Sequence, residues 1–191
     1  GTVDGAPKKL PATEAYPILP ESPYGITKAV GEDYGRFFAL QHKVRFTALR
    51  YSNVYGPRQL PHGEAGVVAI FILRLMAGKP CTIFGDGSIV RDYVYVGDVA
   101  RASLAVLRKG DGKGYNIATN KPTTVKQLYT SIAKALGSSQ KAVYGPKRAG
   151  DVQANYLSYA LAKRVLGWTP KVSLDQGIRN TVQFFRDGGK R

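Results

Sequence analysis

Runs of apolar positions broken by Gly, Pro and small polar residues divide the chain into alternating helical and extended segments. Gly1 to Pro20 is rich in Pro and small residues and reads as loop. Ser22 followed by Pro23 then opens a helix, with Ser as N-cap and Pro at the first helical position. The pattern carries that helix to Leu40 or Gln41. "VRFTALRY" (Val44–Tyr51) reads as a strand, followed by "SNVYGPRQ", a loop stopped by Gly56 and Pro57. Ala65–Gly78 is a mostly apolar helix with a C-terminal Gly. "CTIFGDGS" is a short strand and turn. Tyr93–Val96 reads as a strand, and the next helix as capped by Asp98 with cations in its last turn.

Further on, "GYNIA" is a short strand, and Thr123 or Thr124 caps a helix closed by Gly137. "AVYGP" is a strand, "YALAKRVLG" a helix, and "LDQGIRNTVQFFRDGG" a final helix. Strands alternating with helices predict an α/β layer architecture. "VYGP" occurs at Val54 and again at Val143, as two strand-to-turn endings rather than a repeat.

Composition adds limits. A chain of 191 residues is large enough for one unit with a real core. Its 43% apolar and 21% charged residues are those of a soluble globular protein, with no apolar run that could span a membrane. The single cysteine, Cys81, forms no internal disulfide and fits a reducing cytoplasm. The formal net charge of +15 attracts anions. The cations are scattered, however, with runs no longer than a pair such as Lys8-Lys9. No nucleic-acid-binding motif accompanies them, so nucleic acid is not the expected partner, although the charge leaves it open.

Several chemistries are poorly supported. His42 and His62 are the only histidines, which argues against His-rich metal sites and Ser-His-Asp triads, and no metal site is expected. There is no P-loop. "GDGKG" (Gly110–Gly114) and "GDGS" (Gly85–Ser88) both lead into extended segments. A dinucleotide loop must instead open a helix, so both read as surface turns.

One pair does suggest chemistry. Tyr24 and Lys28 in "SPYGITK" lie one helical turn apart on one face. A neighbouring ammonium favours the phenolate and would bring the tyrosine from its usual value of about 10 toward neutrality. Such a tyrosine can take a proton from a sugar hydroxyl or return it. Spacing alone decides little, because Tyr159 and Lys163 in "YALAK" share it.

Context decides more. "SPYGITKAVGEDYGRFFA", "LRYSNVYGPRQ", "TIFGDGSIVRDYVYVGDVARA", "YNIATNKPTTVKQL", "RAGDVQ" and "LAKRVLGWTPKVSLDQGI" follow one another in order. Together they resemble the extended short-chain dehydrogenase/reductase family of NAD-dependent nucleotide-sugar epimerases and dehydratases, over essentially the whole chain. The resemblance implies that Tyr24 and Lys28 are the catalytic pair, with Lys28 also holding the nicotinamide ribose of NAD. In a 4-epimerase the tyrosine takes the proton of the sugar 4-hydroxyl, hydride passes to NAD, the 4-keto sugar turns, and hydride returns to its other face.

The same resemblance makes Tyr51 cofactor-facing and Asn53 a contact to the UDP-sugar. It makes Arg91 and Arg148 the diphosphate ligands, a task that suits guanidinium. Asp151 becomes the carboxylate on the nucleotide ribose, and Thr82 and Phe84 belong to the strand that packs on the uracil. Asn155 stands where the family tunes its sugar pocket, and its size there implies that N-acetyl sugars are admitted. Plainer alternatives stand beside these: Arg91 paired with Asp92 or Asp98, Asn53 as a turn former, Phe84 as core. Tyr55 and Trp168 read as packing residues.

The departures from the family pattern set further expectations. The GxxGxxG loop, the acidic residue for the adenosine ribose and the catalytic Ser or Thr are not found in these residues. Ser22 is no substitute, because its position makes it a cap. The expected fold is therefore a partial Rossmann-like α/β unit lacking the N-terminal dinucleotide-binding half, plus a small α/β substrate-binding part. Residues about 1–60 and 92–120 would form the Rossmann side, and about 61–91 and 121–191 mainly the substrate side. The chain reads as the C-terminal part of such an enzyme, inactive by itself, with a homodimer expected for the parent. Related dehydratases carry an acid where Thr2 stands here, with Asp4 two residues out of register, which favours epimerisation. The alternatives are a nucleotide-sugar dehydratase or decarboxylase, or a non-catalytic relative that binds nucleotide or RNA.

Overall fold

A computed structural model describes residues 3, 5–60, 66–110, 112–148 and 150–189. Thr2, Asp4, His62 and the predicted helix start at Ala65 lie outside the described residues. The helices are α1 (Pro23–His42), α2 (Val67–Met76), α3 (Val96–Lys109), α4 (Val125–Leu136), α5 (Ala160–Leu166) and α6 (Leu174–Arg186). The strands are β1 (Ala48–Tyr51), β2 (Asn53–Tyr55), β3 (Thr82–Phe84), β4 (Val90–Arg91), β5 (Tyr93–Tyr95), β6 (Gly114–Ile117), β7 (Thr123–Thr124), β8 (Val143–Gly145) and β9 (Ala154–Asn155). This is the α/β alternation that the sequence predicts.

Local caps work as read. Ser22 is extended, and its Oγ accepts the Gly25 N–H at 3.0 Å. Thr124 caps α4 in a reciprocal box with Gln127, and Gly137 ends that helix at φ +68.

Three expectations need correction. First, Asp98 is no cap. Helix α3 starts at Val96 with Tyr95 at its N-cap, and the Asp98 carboxylate turns inward. Its Oδ2 accepts the backbone N–H groups of Lys171 and Val172 at 3.0 and 3.1 Å, and Arg101 pairs with it from outside. Second, the strand predicted from Val44 begins only at Ala48, because its partner begins at Gly114 and the chain before that turns at Gly112. Third, the predicted loop after Tyr51 contains β2, held in parallel register by β5.

Strands β1 and β6 pair in parallel, as do β2 with β5 and β3 with β8. Strand β4 lies between antiparallel β7 and parallel β9. One core cluster joins α2, α4 and α6 through Phe71, Ile72, Leu128, Ile132 and Ile178, and takes in Tyr55, Ile83 and Tyr93. A second joins α3 and α5 to β5 and β6 through Ala102, Ala162, Val94, Tyr115 and Ile117. Tyr55 and Trp168 pack as expected: the Tyr55 hydroxyl donates to Leu174 O, and Trp168 Nε1 donates to Asp98 O at 2.9 Å. Cys81 is free and buried in the first cluster. Helix α1 differs from the others, because Ile26, Val30, Tyr34, Phe37 and Phe38 stand exposed on it. Among the described residues no helix is long and apolar enough to cross a membrane.

Candidate functional site

Parallel strands collect their carboxyl ends on one side, and ligands of open α/β sheets bind there. An open cleft of about 1000 Å³ occupies that place beside the Ser52–Asn53 link between β1 and β2. Helix α1 lines one wall with Tyr24, Lys28 and Glu32, spaced i, i+4 and i+8 along one face. Lys28 Nζ lies 4.9 Å from the Tyr24 ring centroid, over the ring face, in cation–π contact. The comparison pair behaves differently: Tyr159 packs edge-on against Trp168, and neither Tyr159 nor Lys163 lines the cleft.

One turn beyond Lys28, Glu32 anchors the helix. Its Oε1 accepts from Arg50 Nε at 2.8 Å and its Oε2 from Arg50 Nη2 at 2.9 Å, while Arg36 reaches the same carboxylate at 3.0 Å. Glu32 and Arg50 are each only 8% exposed. Arg50 directly precedes Tyr51, so this fork fixes the Tyr24–Lys28 face of α1 against the end of β1. The reading of the sequence missed the pair. The i+4 step from Lys28 to Glu32 was a signal in the sequence, but its partner lies 18 residues on.

Arg91, Asp151 and Asn155 line the cleft as well, together with Tyr51 and Asn53. Arg91 and Asn155 are register partners across β4 and β9. Arg91 Nη1 donates to the carbonyls of Val90 and Val152, both at 2.8 Å. Its Nε and Nη2 find no partner among the described residues, which leaves one edge of the guanidinium for an anion. The plainer alternative for Arg91 falls, since Asp98 pairs with Arg101 and Asp92 turns to Thr119 and Asn120. Asn53 donates Nδ2 to Asp92 O at 3.1 Å, beside its own N–H at 2.9 Å.

The remaining predicted residues sit elsewhere. Thr82 and Phe84 face one way from β3 while Ile83 enters the core. The Arg148 guanidinium lies 3.8 Å over the Phe84 ring centroid. None of the three lines the cleft. The structure thus brings together Tyr24, Lys28, Tyr51, Asn53, Arg91 and Asp151, and separately Phe84 with Arg148. Among the described residues no cluster of His, Cys, Asp or Glu could hold a metal ion.

Burial shapes the titration of the cleft floor. It pushes the Tyr93 phenol up from 10.0 to about 12, against a smaller pull from Arg91. Tyr55 is raised further, by burial first and then by Tyr95, Asp98 and Asp175. A folded value above the unfolded one means that stability is intact below pH ~10 and is lost as pH rises through 12. For Tyr93 the full loss is on the order of 3 kcal/mol. In an alkaline titration Tyr55 and Tyr93 should ionise last and together with unfolding, and Tyr93→Phe should move the transition to higher pH. Ionisation of all tyrosines with the circular dichroism unchanged would contradict this.

Residues 1–118 match the NAD dependent epimerase/dehydratase family. The chain belongs to that family. This epimerase/dehydratase chain is 44% identical, over 98% of its length, to the UDP-glucose 4-epimerase of Mycolicibacterium smegmatis, 60% of which it covers. The crystal structure of the Thermotoga maritima UDP-glucose 4-epimerase with UDP-glucose superposes with a TM-score of 0.95 at 49% identity, over 100% of this chain and 62% of that one. The Thermus thermophilus UDP-glucose 4-epimerase complex with NAD gives a TM-score of 0.90 at 41% identity, over 97% and 61%. The epimerase/dehydratase chain therefore spans about three-fifths of the length of these relatives.

Proposed function

We propose that this chain is the substrate side of an NAD-dependent nucleotide-sugar epimerase of the UDP-glucose/UDP-galactose 4-epimerase type, with residues about 61–91 and 121–191 as its main substrate-binding part. The observation that carries the proposal is the single cleft in which the Tyr24–Lys28 pair meets the half-anchored Arg91. Tyr24 takes the proton of the sugar 4-hydroxyl and later returns it. Lys28 holds the nicotinamide ribose and favours the phenolate, and Tyr51 borders the cofactor. NAD would supply the acceptor and donor of the C4 hydride. Arg91 binds the diphosphate through its open edge, Asp151 the nucleotide ribose, and Asn53 and Asn155 the sugar. Thr82, Phe84 and Arg148 serve the uracil and the diphosphate from their own face of β3 and β8. The exposed apolar residues of α1 fit a homodimer of the intact enzyme, and a cytoplasmic setting fits the reduced Cys81.

These residues contain no dinucleotide loop, so the chain alone is proposed to turn over no UDP-galactose. Calorimetric titration tests the substrate side directly. UDP should bind this chain, and Arg91→Ala should weaken it about 10- to 100-fold, the worth of a charged hydrogen-bonded contact. UDP binding that is absent, or indifferent to Arg91→Ala, would remove the reading.

A further inference from the structure

We propose that Asp92 is the positioning residue that holds Asn53, Arg91 and Asn155 in one geometry; the inference builds on the proposed substrate site. Asp92 joins β4 to β5 and is fully buried. Its Oδ1 accepts from Thr119 Oγ1 at 2.6 Å, from the Thr119 N–H at 2.9 Å and from Ser52 Oγ at 3.4 Å. Its Oδ2 accepts from the N–H groups of Asn120 at 2.9 Å and Thr119 at 3.1 Å, and the Leu157 N–H also reaches the carboxylate. The Asp92 carbonyl accepts both the backbone N–H and the side-chain amide of Asn53.

One residue thus touches four segments: the β1–β2 link, its own strand junction, the chain after β6, and the chain just after β9. Three of the four carry or adjoin a cleft residue. Ser52 precedes Asn53, Arg91 precedes Asp92, and Leu157 lies two residues past Asn155. Every group around the carboxylate is a donor, so the site suits an acceptor-only side chain. An asparagine of the same size would present N–H groups to N–H groups. Burial raises the carboxyl above its ordinary value despite those hydrogen bonds, which marks the arrangement as costly. An apolar core would have served stability at least as well. Fixed geometry at the cleft is what the carboxylate adds.

The test separates positioning from general stability. In this chain Asp92→Asn should shift the side-chain amide NMR signal of Asn53 and weaken UDP binding about tenfold, while melting remains cooperative. In an Asn53→Ala/Arg91→Ala/Asn155→Ala background the same change should cost less than about twofold, because its targets are gone. An undiminished tenfold loss there would overturn the positioning role and leave a structural one. If unaltered chain fails to bind UDP, the substrate reading falls by itself, and the Asn53 signal still decides: unchanged in Asp92→Asn, it overturns the inference. Should Asp92→Asn not fold, Thr119→Val removes the shortest donor, and an unmoved Asn53 signal in that variant would be equally fatal.

Discussion

Glu32→Ala should destabilise the chain by about 3–5 kcal/mol, the usual cost of breaking a buried ion pair from one side. Glu32 and Arg50 are both almost out of water and meet in a two-bond fork. Removing the carboxylate takes both of those bonds from a buried guanidinium. The Arg36 contact adds little, because that side chain is 44% exposed and such pairs are worth at most about 1 kcal/mol. The same physics predicts that Glu32→Leu with Arg50→Met recovers most of the loss, since an apolar pair carries no desolvation penalty. Urea unfolding measures both through the midpoint at constant slope. A Glu32→Ala loss below about 1 kcal/mol would show that the fork is as weak as a surface pair. The fork also matters for the site. Without it α1 keeps few ties to the sheet, since Gly25 and Glu32 are its only buried residues.

What could be read from the sequence was local. Ser22-Pro23, the Thr123-Thr124 pair and Gly137 announce helix ends through bonds made within a few residues; the structure makes Thr124 the cap and adds Gln127 as its reciprocal partner. The two "VYGP" stretches also end strands, β2 at Tyr55 just before its glycine and β8 at Gly145. Misread features depend on distant partners. Asp98 looks like a cap because it stands near a helix start, yet its partners lie 73 and 74 residues away. Strand β2 is three residues long and exists because β5 lies beside it. The candidate site divides in the same way. Tyr24 and Lys28 share a helical face by spacing alone. The meeting of Arg91, Asn155 and Asp151 with that face depends on a β4–β9 register that no local pattern encodes. Nor does any local pattern show that Arg148, read with Arg91 as a diphosphate ligand, lies over the Phe84 ring.

In the epimerase proposed above, Tyr24→Phe should lower kcat by about 10²- to 10⁴-fold, the usual worth of a positioned acid/base group, with KM little changed. The substitution removes one hydroxyl and keeps the ring, so the Lys28 contact over the ring face survives. Tyr24 is 46% exposed and its hydroxyl forms no hydrogen bond among the described residues, so stability should stay within about 0.5 kcal/mol of the unaltered protein. The loss then belongs to the chemical step alone. Lys28→Met should differ by raising KM for NAD as well as lowering kcat, because Lys28 is assigned both tasks. Tyr159→Phe is the matched control: it has the same spacing to a lysine, but its ring packs on Trp168 away from the cleft, and its kcat should be unaltered. Steady-state turnover of UDP-galactose, with NAD saturating for the tyrosine variants and varied for Lys28→Met, gives all three results. Equal, small effects of Tyr24→Phe and Tyr159→Phe would mean that the i, i+4 pair on α1 is no more catalytic than the one on α5, and that proton transfer at the sugar 4-oxygen uses another group.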